Sequence, residues 1–129
     1  MTIRYELNPP KADGYTQKQI DTISQRITLI SSVCDGIHLT DSVLGIPRIS
    51  PFEIAKLVRK YNTDMKITAS LRVRDRNLGE IEKLVRESNE FLDGILVLMG
   101  DKSQNSSNES GLFPSQVVRH LLDHDINGN

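Results

Sequence analysis

The chain has 129 residues, of which 37% are hydrophobic and 26% charged, and its 16 Lys and Arg against 17 Asp and Glu leave a net charge of −1. That length and composition fit one ordinary globular domain over residues 1–129, and the near-neutral balance excludes the electrostatic footprint of a nucleic-acid binder. No apolar run of the length of a membrane span occurs, residues 1–15 lack the apolar centre of a signal peptide, and the single Cys34 has no intrachain disulfide partner, so a reducing, cytoplasmic setting without membrane contact is expected.

Apolar periodicity then alternates between short strand-like runs and amphipathic helices, the pattern of parallel βαβ units. The first strand is expected near Arg4 to Leu7, and a helix from Thr16 to Ser32 follows with Ile20, Ile23, Ile27 and Ile30 on one face. A second strand covers Gly36 to Thr40. The second helix has Ser50 as its N-cap, Pro51 at its first position and Glu53 completing a capping box, and its apolar face is Ile54, Leu57, Val58 and Tyr61. A third strand from Lys66 to Leu71 leads to a helix capped by Asn77 and carrying Leu78, Ile81, Leu84 and Val85. The fourth strand is Gly94 to Met99. Polar residues 102–112 read as a flexible loop, and a last helix from Pro114 to His124 presents Val117, Val118, Leu121 and Leu122. "CDGIHL" at Cys34–Leu39 and "LDGILV" at Leu92–Val97 form a weak internal repeat, whose glycines are expected in the left-handed conformation that ends a helix.

Residues i and i+2 of a strand share a face. Ile3, Tyr5 and Leu7 therefore oppose Arg4 and Glu6, Ile37 and Leu39 oppose His38 and Thr40, and Ile67, Ala69 and Leu71 oppose Thr68 and Ser70, while the fourth strand is apolar on both faces. Doubly wound sheets, covered by helices on both sides, do not alternate in this way. Two architectures remain: a sheet with one solvated face, or consecutive (β/α) units of a barrel with a polar interior. In both, the strands run in spatial order 1-2-3-4 with all four helices on one face. In a barrel, chemistry sits at the carboxyl ends of the strands, which makes Glu6, Thr40, Ser70 and Gly100-Asp101 rim residues.

Those rim residues sit in recognisable segments. "YELNPPK" at Tyr5–Lys11 resembles the Phe-Glu-Phe/Phe-Pro-Pro-Lys signature of methylenetetrahydrofolate reductases, and "LTDSVLGIPRISP" at Leu39–Pro51 resembles their Thr-Asp-Asn-Pro-x-Gly-x-x-Arg-Met-Ser segment. "RDRN" at Arg74–Asn77 and "ILVLMGD" at Ile95–Asp101 are similar to the third and fourth units of that family, in the same order and at similar spacing. The resemblance implies a TIM-type (β/α)8 barrel that moves a hydride from NAD(P)H through FAD to 5,10-methylenetetrahydrofolate. It implies that Glu6 is the proton donor that opens the imidazolidine ring, that Thr40 lies near the flavin, and that Asp101 after Gly100 faces both flavin and pterin. It also places Ser70 where the family usually has a flavin-touching histidine, and Met99 where arginine or threonine is common; a methionine can pack on a flavin ring but cannot pair with a phosphate.

About four βα units are half of a barrel that normally needs about 250 residues. A truncated chain, two copies assembling into one barrel, and a second polypeptide supplying the rest are the three explanations, and uncovered strand edges favour a homo-oligomer or a second half-barrel chain. The alternative from a different class is a non-catalytic half-barrel that binds a partner or regulates a full-length reductase. Among the remaining candidates, His38, His120 and His124 have no metal spacing, and the last two read as a solvated helix end. Cys34 reads as core. Arg72, Arg74 and Arg76 read as a solvated loop or, alternatively, as contacts for a glutamate tail or flavin phosphate.

Overall fold

The computed structural model describes residues 1–12, 16–42, 46–61, 64–102 and 109–126. Strand β1 (Arg4–Leu7) is followed by α1 (Gln17–Ser31), β2 (Gly36–Leu39), α2 (Pro51–Tyr61), β3 (Lys66–Arg72), α3 (Leu78–Ser88), β4 (Gly94–Leu98) and α4 (Pro114–Asp123). Local chemistry accounts for the helix starts. The Gln19 side-chain oxygen accepts from the Thr16 N–H at 2.8 Å, the Ser50 hydroxyl oxygen accepts from the Phe52 N–H at 3.2 Å, and the Asn77 side chain accepts from the Glu80 N–H at 2.9 Å.

The four strands form one parallel sheet in the order β1-β2-β3-β4. Its register aligns Glu6 with His38 and Thr68, Leu7 with Leu39, and Leu39 with Ala69 and Ile95. One sheet face contributes Leu7, Ile37, Leu39, Ile67, Ala69 and Leu71 to the core. Ile23 and Ile27 of α1, Ile54 and Val58 of α2, Ile81 of α3 and Val117 of α4 complete the same cluster. All four helices therefore cover one side, as the alternation predicts. The chain is α/β with a four-stranded parallel sheet, and no helix among the described residues is long and apolar enough to cross a membrane.

The repeated Asp-Gly has a different use from the expected one. Among the described glycines only Gly100 and Gly111 have positive φ. Gly36 is required by proximity, because a Cβ there would lie 2.6 Å from the backbone oxygen of Lys66 in the next strand. The aspartates pin strand starts. Asp35 accepts from the Ile3 N–H at 2.7 Å and donates its own N–H to the Ile3 oxygen at 2.8 Å. Asp93 repeats this with Ile67, at 2.9 and 2.8 Å, and adds an ion pair with Arg59 at 3.2 Å. Burial alone would raise the Asp93 carboxyl, but the Ile67 N–H and the Arg59 and Lys66 cations outweigh it and hold its pKa below the ordinary carboxylate value.

Several expected core positions lie outside the core. Tyr61, the last residue of α2, is exposed, and so are Val118 and Leu122 of α4 and Ile3 and Tyr5 of β1. For Ile3, Tyr5, Val118 and Leu122 the cause is shared: β1 and β4 are edge strands among the described elements, so their outer flanks and the outer side of α4 have no described neighbour to pack against. Residues 103–108 of the expected loop lie outside the described residues. Beyond them the chain is fastened: the Ser110 N–H donates to the Arg74 oxygen at 2.6 Å, its hydroxyl donates to the Val73 oxygen at 2.6 Å, and Leu112 packs against the core.

Candidate functional site

The face opposite the helices carries the polar strand residues, and at the carboxyl ends of the strands they converge on an open groove of about 510 Å³. Glu6 from β1, His38, Thr40 and Asp41 from β2 and its loop, Ser70 from β3, and Gly100 and Asp101 after β4 line it, with Leu96 and Leu98 forming an apolar wall. The sheet register explains this convergence, since period-2 alternation points the polar set of each strand to one side and parallel pairing brings their ends together.

His38, which the sequence reading left without a role, organises the centre of the groove. Its Nδ1 lies 2.9 Å from the Thr68 hydroxyl and its Nε2 lies 2.8 Å from the Ser70 hydroxyl. Arg4 Nη1 donates to the same Thr68 oxygen at 3.4 Å. Burial lowers the His38 pKa below 6.5, the neighbouring Glu6 carboxylate opposes that shift, and Arg4 adds to it. The neutral ring is thus favoured near neutrality, held between two hydroxyls of β3.

A second structure stands behind the groove. Arg72 is almost fully buried, and its guanidinium donates through Nε to Asp75 at 3.2 Å, through Nη1 to the Ser42 oxygen at 3.0 Å and through Nη2 to the Asp101 oxygen. Its backbone N–H donates to Asp41 Oδ2 at 3.1 Å, and the same carboxylate oxygen takes Arg76 Nη1 at 2.6 Å. Arg74 donates to the Gly100 oxygen at 3.0 Å and pairs with Glu109 at 2.8 Å. The three arginines therefore tie together the loops after β2, β3 and β4 and are not a solvated cluster. Gly100 belongs to this packing: its φ is +84°, and a Cβ would lie 2.9 Å from Arg72 Cβ.

The expected rim residues fare differently. Glu6, Thr40, Ser70, Gly100 and Asp101 share the groove. Glu6 is exposed, because no second layer among the described residues covers this face. The Ser70 hydroxyl is occupied by His38, and Thr40 donates to Asn8 Oδ1 at 2.6 Å. Met99 is not among the residues that line the groove; it is partly buried and packs against the core. Cys34 is half-buried with its thiol directed at the Ile30 and Gly36 oxygens. His120 is bonded to Glu82 of α3 as well as stacked on His124, so it is not the solvated side chain expected. No cluster of three or more His, Cys, Asp or Glu suited to a metal ion occurs among the described residues.

Among the described residues the groove is lined by the carboxylates Glu6, Asp41 and Asp101, of which Asp41 is paired with Arg76 from behind, and by no Lys or Arg. Such a lining suits a ligand edge rich in N–H donors and opposes a phosphate-bearing one. Comparison of the sequence with family models finds no match, and comparison with curated proteins finds none either.

Proposed function

We propose that this chain is half of a methylenetetrahydrofolate reductase-like barrel and that its groove receives the pterin end of the folate. The observation that carries the reading is the convergence of Glu6, Thr40, Gly100 and Asp101, distant in sequence, on one groove at the carboxyl ends of parallel strands. That is where barrel chemistry is found, and these are the positions at which the sequence resembles that family. An aminopterin offers paired N–H donors, and Asp101 offers a carboxylate to accept them. Glu6 would protonate the ring nitrogen whose bond to the one-carbon bridge opens, a role that needs the face covered by a second half so that water is excluded.

FAD does not fit this groove alone. Its pyrophosphate is anionic, and no Lys or Arg is among the described residues that line the groove. Cations for the dinucleotide would come from residues beyond the groove's walls or from the second half of the barrel, and the nicotinamide donor faces the same difficulty. This chain's own contribution is the proton donor and the pterin-facing acid.

Calorimetric titration with 5-methyltetrahydrofolate, which needs no flavin, tests the reading. We expect saturable binding that weakens by about tenfold or more in D101N, as loss of a charge-assisted pair would cause. In a complete reductase assembly, E6Q should lower folate turnover by about 10²- to 10⁴-fold while leaving folate affinity nearly unchanged. Absence of folate binding would sink the catalytic reading. The partner-binding half-barrel would then stand, supported by the exposed apolar side chains Leu96, Val118 and Leu122 along β4 and α4.

A further inference from the structure

A second cleft, of about 360 Å³, lies outside the polar groove, against α1 and the end of β1. Its polar walls are Asn8, Gln19, Thr22, Arg26 and Arg48, with no carboxylate among the described residues that line it. Among the described residues the Arg48 guanidinium donates from Nη1 to the Pro9 oxygen at 2.7 Å. Its Nε is buried and has no hydrogen-bond partner among the described residues. In a guanidinium, Nε and Nη2 form one edge of the fork, the edge that takes two oxygens of a carboxylate or phosphate side by side. A buried charged donor without an acceptor is costly, and a bound anion is one partner that would satisfy it.

The two amides reinforce this polarity because their oxygens are already used. Asn8 Oδ1 accepts from Thr40, and Gln19 Oε1 accepts from the Thr16 N–H. Each amide's NH₂ group makes no hydrogen bond among the described residues and can donate to the cleft. Thr22 is the exception, since its hydroxyl donates to the Lys18 oxygen and offers only lone pairs. Arg26 is exposed and makes no ion pair among the described residues, and the nearby acid of the same helix, Asp21, is taken by Gln17. The wall thus presents two guanidinium groups and two amide donors around one opening.

We propose that this cleft is an oxyanion site, taking a phosphoryl or carboxylate group through the Nε edge of Arg48 and the guanidinium of Arg26, with Asn8 and Gln19 completing its donors. The site is independent of the folate reading, since none of its charged residues lines the groove.

Titration of the full chain with inorganic phosphate and, separately, with glutarate at constant ionic strength tests it by calorimetry. Saturable binding of either anion is expected, weakened by about tenfold or more in both R48Q and R26Q and unaffected by R119Q, a change on the distant face of α4. Phosphate binding without glutarate binding identifies a phosphoryl ligand, and the converse a carboxylate one. R26Q removes an exposed side chain without bonds to the fold, so it decides the matter even if R48Q fails to fold by circular dichroism. The proposal is overturned if neither anion binds up to about 10 mM, where a site of ~1 mM affinity would be nearly filled. Binding that R26Q leaves undiminished overturns it as well.

Discussion

Arg72→Met replaces a buried cation with a side chain of similar length that donates nothing. In the folded chain the Arg72 side chain is 2% exposed and supplies bonds to Asp75, to the Ser42 oxygen and to the Asp101 oxygen. Methionine would leave the two carbonyls without their donor and Asp75, 27% exposed, without its counter-charge. Breaking a buried pair by removing one partner costs about 3–5 kcal/mol, which is a large share of a domain's total stability of roughly 5–15 kcal/mol. For a domain of this size that corresponds to a fall in Tm of about 10–20 °C. Urea unfolding followed by circular dichroism measures it, with an unchanged slope showing that the unfolded state is not the source. R74Q is the control: it removes an exposed pair, Arg74 and Glu109 being 26% and 52% exposed, and one bond to the Gly100 oxygen, each worth about 1 kcal/mol. If R72M costs no more than R74Q, the account of Arg72 as the clamp behind the groove is wrong.

Other perturbations separate the remaining parts of the argument. G36A should destabilise by about 1–3 kcal/mol in urea titrations because the new Cβ meets backbone at 2.6 Å, whereas G94A, facing the Thr68 methyl at 3.3 Å, should cost visibly less; equal costs would refute the close-approach reading. Asp93 has a folded pKa below its ordinary value, so its stabilisation is present above about 3.8 and is lost as pH falls through the folded value; the stability gap between wild type and D93N should close in acid. His38 has a folded pKa lowered from 6.5, so the folded state binds its proton less readily than the unfolded chain; stability should fall as pH drops below 6.5 towards the folded value, and H38Q should flatten that slope. A His38 ring-proton titration with a midpoint at or above 6.5 by NMR would contradict the burial argument.

How much of this was legible in the sequence depended on whether the cause was local. Period-2 alternation in Ile3–Leu7, Ile37–Thr40 and Ile67–Leu71 is a property of each strand alone, and it correctly separated the helix-side core from the polar face. Helix starts at Thr16, Ser50 and Asn77 were equally legible, because a cap acts within four residues. The role of Asp35 and Asp93 was not, since each bonds to a strand start remote in sequence. Arg72 was misread for the same reason. Its place at the end of a strand pattern, on the face that alternation assigns to Arg4, Glu6 and His38, was the available signal that it points inward. Side chains at sheet edges failed in the other direction: apolar Tyr5, Val118 and Leu122 satisfy the local period, but burial needs a neighbour that periodicity cannot supply.

The two ends of the sheet are stabilised by different means, and this bears on where function can change. At the amino ends, Asp35 and Asp93 pin strand starts through backbone bonds that touch no groove residue. At the carboxyl ends, Arg72 holds the loops that carry Asp41, Ser42 and Asp101, all of them groove-lining. Damage at the amino ends should therefore lower stability while leaving ligand affinity of the surviving folded molecules intact. Damage at Arg72 should lower both, because the loop bearing Asp101 loses its anchor. Measuring the affinity of D35N and R72K for 5-methyltetrahydrofolate, the ligand proposed above for the groove, at a temperature where both remain folded distinguishes the two ends: D35N should bind like wild type, and R72K, which keeps the charge but lacks the fork for three acceptors, should bind more weakly. Equal affinities would show that the groove does not depend on the clamp behind it.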